Sequence, residues 1–134
     1  LILPLDVVIA GASAEKAKPK VVEYNQVPAD VAIYDIGPKT IAHYKELIQN
    51  AKTIIWNGPM GLCEDPRFAA GTDSILKYMV ESNADSIIGG GDTLTSIKAK
   101  KYMKKISHVS TGGSAMLEFL EKGTLPGIEV LQDA

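Results

Sequence analysis

Asp92 and Thr93 stand directly after three glycines, Gly89-Gly90-Gly91, which themselves end the apolar run Ser86-Ile87-Ile88. A carboxylate placed there can bind Mg²⁺ directly or through water. Thr93 can offer a hydroxyl and an N–H to a phosphate, and the glycines reach backbone conformations closed to other residues. Two further segments share the design. Thr53-Ile54-Ile55-Trp56 runs into Asn57-Gly58-Pro59-Met60-Gly61-Leu62-Cys63-Glu64, and Ile106-Ser107-His108-Val109 runs into Ser110-Thr111-Gly112-Gly113. The Asn57 amide suits phosphate or ribose oxygens, and the Glu64 carboxylate suits paired ribose hydroxyls. Consecutive N–H donors at a helix start, around Gly112 and Gly113, suit an anion. Each segment also has a plainer explanation: a tight strand–helix turn capped by Asp92, a solvated Glu64, a glycine turn. Taken together on one sheet edge, they point to a phosphate-bearing ligand.

Two familiar nucleotide motifs are excluded. No Gly-Lys-[Ser/Thr] follows Gly89-Gly90-Gly91, so this is not a Walker A loop. Gly89, Gly91 and Leu94 do not satisfy G-x-G-x-x-G, which disfavours a nicotinamide dehydrogenase.

The elements that must position these turns alternate. Leu1–Ala10 reads as a strand bent at Pro4, Ala12–Lys20 as a loop or short helix, and Val21–Tyr24 as a short edge strand with antiparallel pairing possible. Val31–Ile36 reads as a strand ending in Gly37-Pro38, and Lys39–Ala51 as a helix with Ile41, Tyr44, Leu47, Ile48 and Ala51 on one face. Asp65-Pro66 is a helix start, followed by a stripe of Phe68, Thr72, Ile75, Leu76 and Met79. A helix over Thr93–Lys101 turns Leu94 and Ile97 inward; another over Ser114–Glu121 turns Met116, Leu117 and Leu120 inward, ends at Gly123, and leaves Pro126-Gly127 as a turn. Strands alternating with helices of this length predict an α/β, doubly wound (Rossmann-like) parallel sheet with helices on both faces.

The composition fits a single globular unit. The chain has 134 residues, 46% hydrophobic and 22% charged, with a net charge of −2. That charge makes no general case for nucleic acid or anionic membrane, and Lys98–Lys105 reads as a solvated helix face. One cysteine, Cys63, excludes an intrachain disulfide and fits a reducing compartment; it reads as packing rather than a reactive thiol. No apolar stretch approaches the roughly 20 residues of a membrane span. The chain opens on Leu1-Ile2-Leu3-Pro4-Leu5-Asp6 at full hydrophobic strength, which reads as a strand already in progress and predicts a piece of something longer.

Trp-Asn-Gly-Pro-x-Gly, Gly-Gly-Gly-Asp-Thr and Ser-His-x-Ser-Thr-Gly-Gly, in this order, closely resemble the C-terminal, nucleotide-binding domain of the phosphoglycerate kinases. Leu3-Pro4-Leu5-Asp6, Asp35-Ile36-Gly37-Pro38 and Leu125-Pro126-Gly127 fit as well, so the resemblance covers essentially the whole chain. It implies a cytoplasmic, glycolytic and monomeric parent enzyme that moves a phosphoryl group between 1,3-bisphosphoglycerate and MgADP, giving 3-phosphoglycerate and MgATP. Residues 1–134 would then be a partial C-terminal domain of a two-domain kinase. The resemblance places Asn57 beside the nucleotide's phosphates and sugar, and Glu64 on the ribose hydroxyls. Gly90 and Gly91 fall in the nucleotide loop, Asp92 on the nucleotide-bound Mg²⁺, and Thr93 on the terminal phosphates. Gly112 and Gly113 would turn N–H groups toward the phosphoryl group in flight, and Tyr34 takes the place of an apolar residue walling the adenine site.

Two segments, at three positions, depart from the family pattern. Ser114 replaces a third glycine, with Met116 where a small polar residue is common, and Cys63 replaces an aromatic residue before Glu64. His43 falls on a polar helix face, and His108, within a strand, reads as structural rather than catalytic. The family's phosphoglycerate-binding domain, a second wall of the adenine pocket and a lysine near the transferred phosphates have no counterpart in this sequence, which predicts little or no activity for the chain by itself. Two other readings compete: a stand-alone, non-catalytic nucleotide- or phosphate-binding module, and a sugar-phosphate enzyme using the same edge.

Overall fold

A computed structural model of the chain describes residues 1–11, 18–97 and 100–132. The loop expected over Ala12–Lys20, the helix expected to run on to Lys101 and the Lys98–Lys105 cluster therefore lie partly outside the described residues.

Two three-stranded sheets divide the work. In the first, β1 (Asp6–Gly11) is central, with β2 (Lys20–Glu23) on one side and β3 (Val31–Ile36) on the other, both antiparallel to it. The second is the parallel sheet the alternating pattern predicts: β4 (Thr53–Asn57), β5 (Asp85–Gly89) and β6 (His108–Ser110) in that order. The α/β reading holds, with the parallel ladder confined to β4–β6. The strand predicted to start at Leu1 begins only at Asp6, past Pro4, which lacks a ladder donor.

Helix α1 (Pro38–Asn50) shows why local sequence suffices only in part. Pro38 suits the first helical position, but Gly37 has no side chain to cap the exposed N–H groups. Asp6, from the start of β1, caps them instead: its carboxylate accepts the Lys39 N–H at 3.1 Å and the Thr40 N–H at 2.8 Å. Thr40 reciprocates, its hydroxyl oxygen accepting the Leu5 and Asp6 N–H groups at 2.9 and 3.0 Å. Asp6 is buried, which alone would raise its pKa, but the hydrogen bonds from Thr40 and Lys39 outweigh burial and hold it below the usual carboxylate value.

After β4, Asp65 accepts the Arg67 N–H and opens a short 3₁₀ turn, Pro66–Phe68, which leads into α2 (Ala70–Glu81). Phe68, Thr72, Ile75, Leu76 and Met79 are all buried, as their spacing predicts. With Trp56, Ile88, Ile97, Ile106 and Ile36, three of them (Ile75, Leu76 and Met79) form the core between α2 and the parallel sheet. Cys63 is buried and free.

The later helices differ from expectation. Helix α3 spans only Gly91–Ser96, and α4 spans Lys100–Met103. Helix α5 (Gly113–Lys122) ends, as predicted, at a left-handed Gly123, but its stripe is not core: Leu117 and Leu120 are 44% and 51% exposed. Pro126-Gly127 does not simply turn the tail. Pro126 opens a further helix, α6 (Pro126–Gln132), its fixed φ suiting the first helical position. Among the described residues, no helix is long and apolar enough to cross a membrane.

Candidate functional site

Parallel pairing puts the ends of β4, β5 and β6 on one edge, because Asn57 stands beside Gly89 and Gly89 beside Ser110. The ladder continues one residue further, with the Gly90 N–H donating to the Ser110 carbonyl at 3.1 Å. Each strand end must then turn sharply. Gly90 does so with φ +98° and Gly58 with φ +92°, conformations that side-chain-bearing residues rarely adopt.

These turns meet around one cavity of about 270 Å³, lined by Asn57 to Pro59, Gly90 to Thr93, Gly113 and Ser114. Its floor is close-packed. A Cβ on Gly113 would fall 2.5 Å from Asn57 Oδ1 and 2.8 Å from the Gly90 Cα; one on Gly90 would fall 2.9 Å from the same oxygen. The Asn57 amide thus sits between two glycines from two different strand ends.

Two helices open at this cavity. Gly91, Asp92 and Thr93 begin α3, and Gly113 and Ser114 begin α5. The first N–H groups of a helix have no intrahelical acceptor, and the helix dipole adds partial positive charge there. An anion in the cavity would meet donors from both.

The cavity brings together Asn57, Gly90, Gly91, Asp92, Thr93 and Gly113 from the predicted set. Asp92 is exposed at its rim. Thr93 is 1% exposed, and its hydroxyl oxygen accepts the Gly58 N–H at 2.8 Å, which ties the β4 turn to α3. Gly112 is the residue before α5 and lies outside the lining.

Glu64 and Tyr34 occupy flanking cavities. Glu64 is exposed and faces α3 across a cavity of about 160 Å³ shared with Cys63, Thr95 and Ser96. The Thr95 and Ser96 hydroxyls donate to the Asp92 carbonyl at 3.0 and 2.6 Å, closing α3 on itself. Tyr34 stacks on buried Phe68, centroids 4.8 Å apart, and lines a cavity of about 330 Å³ with Ile33, Asp35 and residues 59–62. Pro59 belongs to both this cavity and the central one.

Sequence reasoning missed Gly58, Pro59 and Ser114 as lining residues. For Gly58 the signal was present: an Asn-Gly-Pro turn at a strand end needs a residue free to take positive φ. Met116, expected to face inward, does so: its side chain lies against Gly89, beneath the cradle.

The donor set suits a magnesium ion delivered with a phosphate ligand. Mg²⁺ keeps several waters and is held by one or two carboxylates plus substrate phosphates. Asp92 is one exposed carboxylate at the rim, and no group of three or more potential metal ligands occurs among the described residues.

Known proteins share both sequence and fold with this chain. Residues 1–123 match the family model described as phosphoglycerate kinase. The phosphoglycerate kinase of Chloroflexus aggregans is 48% identical over 137 aligned residues, covering 100% of this chain and 34% of that protein. That of Herpetosiphon aurantiacus is 47% identical, covering 99% and 34%. The phosphoglycerate kinase structure from Coxiella burnetii superposes with a TM-score of 0.85 at 44% identity, covering 98% of this chain and 34% of that one. The Pyrococcus horikoshii structure gives 0.78 at 35% identity, covering 96% and 32%. The chain thus spans about a third of the length of the relatives it matches, and it belongs to the phosphoglycerate kinase family.

Proposed function

We propose that this chain supplies the nucleotide-binding part of a glycolytic phosphoglycerate kinase, as the later portion of that enzyme's C-terminal domain. Its substrate is MgADP or MgATP. The other substrate, 1,3-bisphosphoglycerate as phosphoryl donor to ADP or 3-phosphoglycerate as phosphoryl acceptor from ATP, is held by a separate domain of the whole enzyme, which is a monomer of the cytoplasm. The observation that carries this reading is the convergence of three strand-end turns and two helix starts on one polar cavity.

Within it, Asn57 and the first N–H groups of α3 and α5 bind the phosphates. Gly113, with Gly112 beside it, turns donors toward the phosphoryl group as it moves. Thr93 fixes the Gly58 turn before it contacts any ligand. Glu64 accepts hydrogen bonds from the ribose hydroxyls, and Tyr34, stiffened by its stack on Phe68, walls the base. Asp92 holds the nucleotide's Mg²⁺, which when bound offsets negative charge on the phosphates. Phosphoryl transfer is mostly positioning and electrostatic stabilisation, so this arrangement supplies one substrate's half of it.

The test is Asp92→Ala in the protein that carries this chain. Turnover in a coupled assay should fall by roughly 10²-fold or more, the scale for losing one electrostatic catalytic element. Unchanged turnover and unchanged Mg²⁺ dependence would contradict the assignment.

A further inference from the structure

Residues 59–62 line the Tyr34 cavity, Pro59 lines the central one as well, and the segment is held from outside. The Met60 N–H donates to Thr72 Oγ1 at 3.0 Å, and the Leu62 N–H to the Tyr34 carbonyl at 2.8 Å. Thr72 lies in the first turn of α2. That turn is itself fixed by Asp35, whose Oδ2 accepts the Gly71 N–H at 2.9 Å while Oδ1 accepts the Ile36 N–H at 2.8 Å.

Asp35 is 2% exposed, so these N–H groups take the place of water. Burial pushes its carboxyl above the ordinary value, with the nearby Asp73 charge adding to the rise, and the N–H groups of Gly71, Ile36 and Ala70 pull it only part of the way back. Two glycines explain themselves on this carboxylate. A Cβ on Gly61 would fall 2.6 Å from Asp35 Cγ and Oδ1, and one on Gly71 would strike Oδ1. Asp35 therefore fills the space between the loop and the helix, touching both, yet it has no part in the nucleotide roles assigned above.

We infer that Asp35 is a positioning residue for the nucleotide's base and ribose: wedged between Gly61 and Gly71, its carboxylate sets α2 and, through Thr72 and Met60, the loop that ends in Glu64. The inference rests on the nucleotide reading of the site. Its physical content is leverage. Asp35 fixes Gly71, the next residue holds Met60, and a displacement of about 1 Å at a binding group is enough to degrade its geometry.

Asp35→Asn tests it in the protein that carries this chain. The amide keeps the shape but turns a donor onto one of the N–H groups that the carboxylate accepts. The KM for ADP should rise about five- to tenfold, while kcat and the KM for the acyl-phosphate substrate stay within about twofold. Thr72→Val, which removes the Met60 tie and leaves Asp35 in place, should move the ADP KM in the same direction, and it decides the matter if Asp35→Asn does not fold. Ser82→Ala weakens the far end of α2, where the hydroxyl donates to the Met79 carbonyl at 2.8 Å, and should leave the ADP KM unchanged. The inference is overturned if Asp35→Asn and Thr72→Val leave the ADP KM at the wild-type value, or if Ser82→Ala raises it equally. Glu64→Gln separates the two levels. If it raises the ADP KM and Asp35→Asn does not, the positioning role alone is wrong; if it leaves the ADP KM unchanged, the nucleotide reading itself is wrong.

Discussion

The Gly58 N–H donates to the Thr93 hydroxyl oxygen at 2.8 Å, joining residues 35 apart in sequence. The bond ties the turn after β4 to the helix after β5, so the two cannot shift independently. It also places a buried threonine at the base of a polar cavity.

Thr93→Val keeps the shape and removes the acceptor. It should cost about 1–2 kcal/mol of stability, the penalty for orphaning a partly buried N–H. Thr93→Ser should recover most of the loss. Denaturant midpoints of the three proteins check this; equal midpoints would mean that water replaces the hydroxyl.

Glu64→Gln should weaken nucleotide binding by about 1–2 kcal/mol, because neutral hydrogen bonds replace charge-assisted ones. Calorimetry with ADP and with an analogue lacking both ribose hydroxyls separates the roles. The loss is expected for ADP alone. Equal losses for both ligands would place Glu64 elsewhere on the nucleotide.

Asp6 makes stability depend on acid. Burial opposes its charge, but the Thr40 and Lys39 hydrogen bonds hold its folded pKa below the ordinary 3.8. The folded state therefore favours the carboxylate. Its contribution is fully present above the unfolded value and is lost as pH falls through the lower folded value. Asp6→Asn turns a donor toward one of the capped N–H groups and should cost about 1–3 kcal/mol at neutral pH. The gap from wild type should narrow as pH drops below 3.8. A gap independent of pH, in denaturation at pH 7 and pH 3, would contradict this.

The glycine turns and the α2 stripe were legible because their causes are local. A strand end followed by glycines must turn, and apolar residues at helical spacing must face inward. Strand direction is not local: Val31–Ile36 is the same apolar run whether it pairs parallel or antiparallel, and it pairs antiparallel with β1. The Asp6 cap was hidden for the same reason, since its partners lie 33 and 34 residues away. Asp35 looked like a strand residue before Gly-Pro, and only the folded chain brings Gly61 and Gly71 onto its carboxylate. Leu117 and Leu120 show the converse, a correct helical stripe that the described structure leaves uncovered.

The central claim is that three strand-end turns make one phosphate cradle, and amide NMR during a MgADP titration tests it most directly. In labelled protein carrying this chain, the amide signals of Gly58, Gly91, Asp92, Thr93, Gly113 and Ser114 should shift together along one binding isotherm. Those of Gly123, which ends α5, and Gly127, in α6, should stay in place. Shifts absent from the six, or confined to a single turn while nucleotide binds elsewhere, would contradict the account.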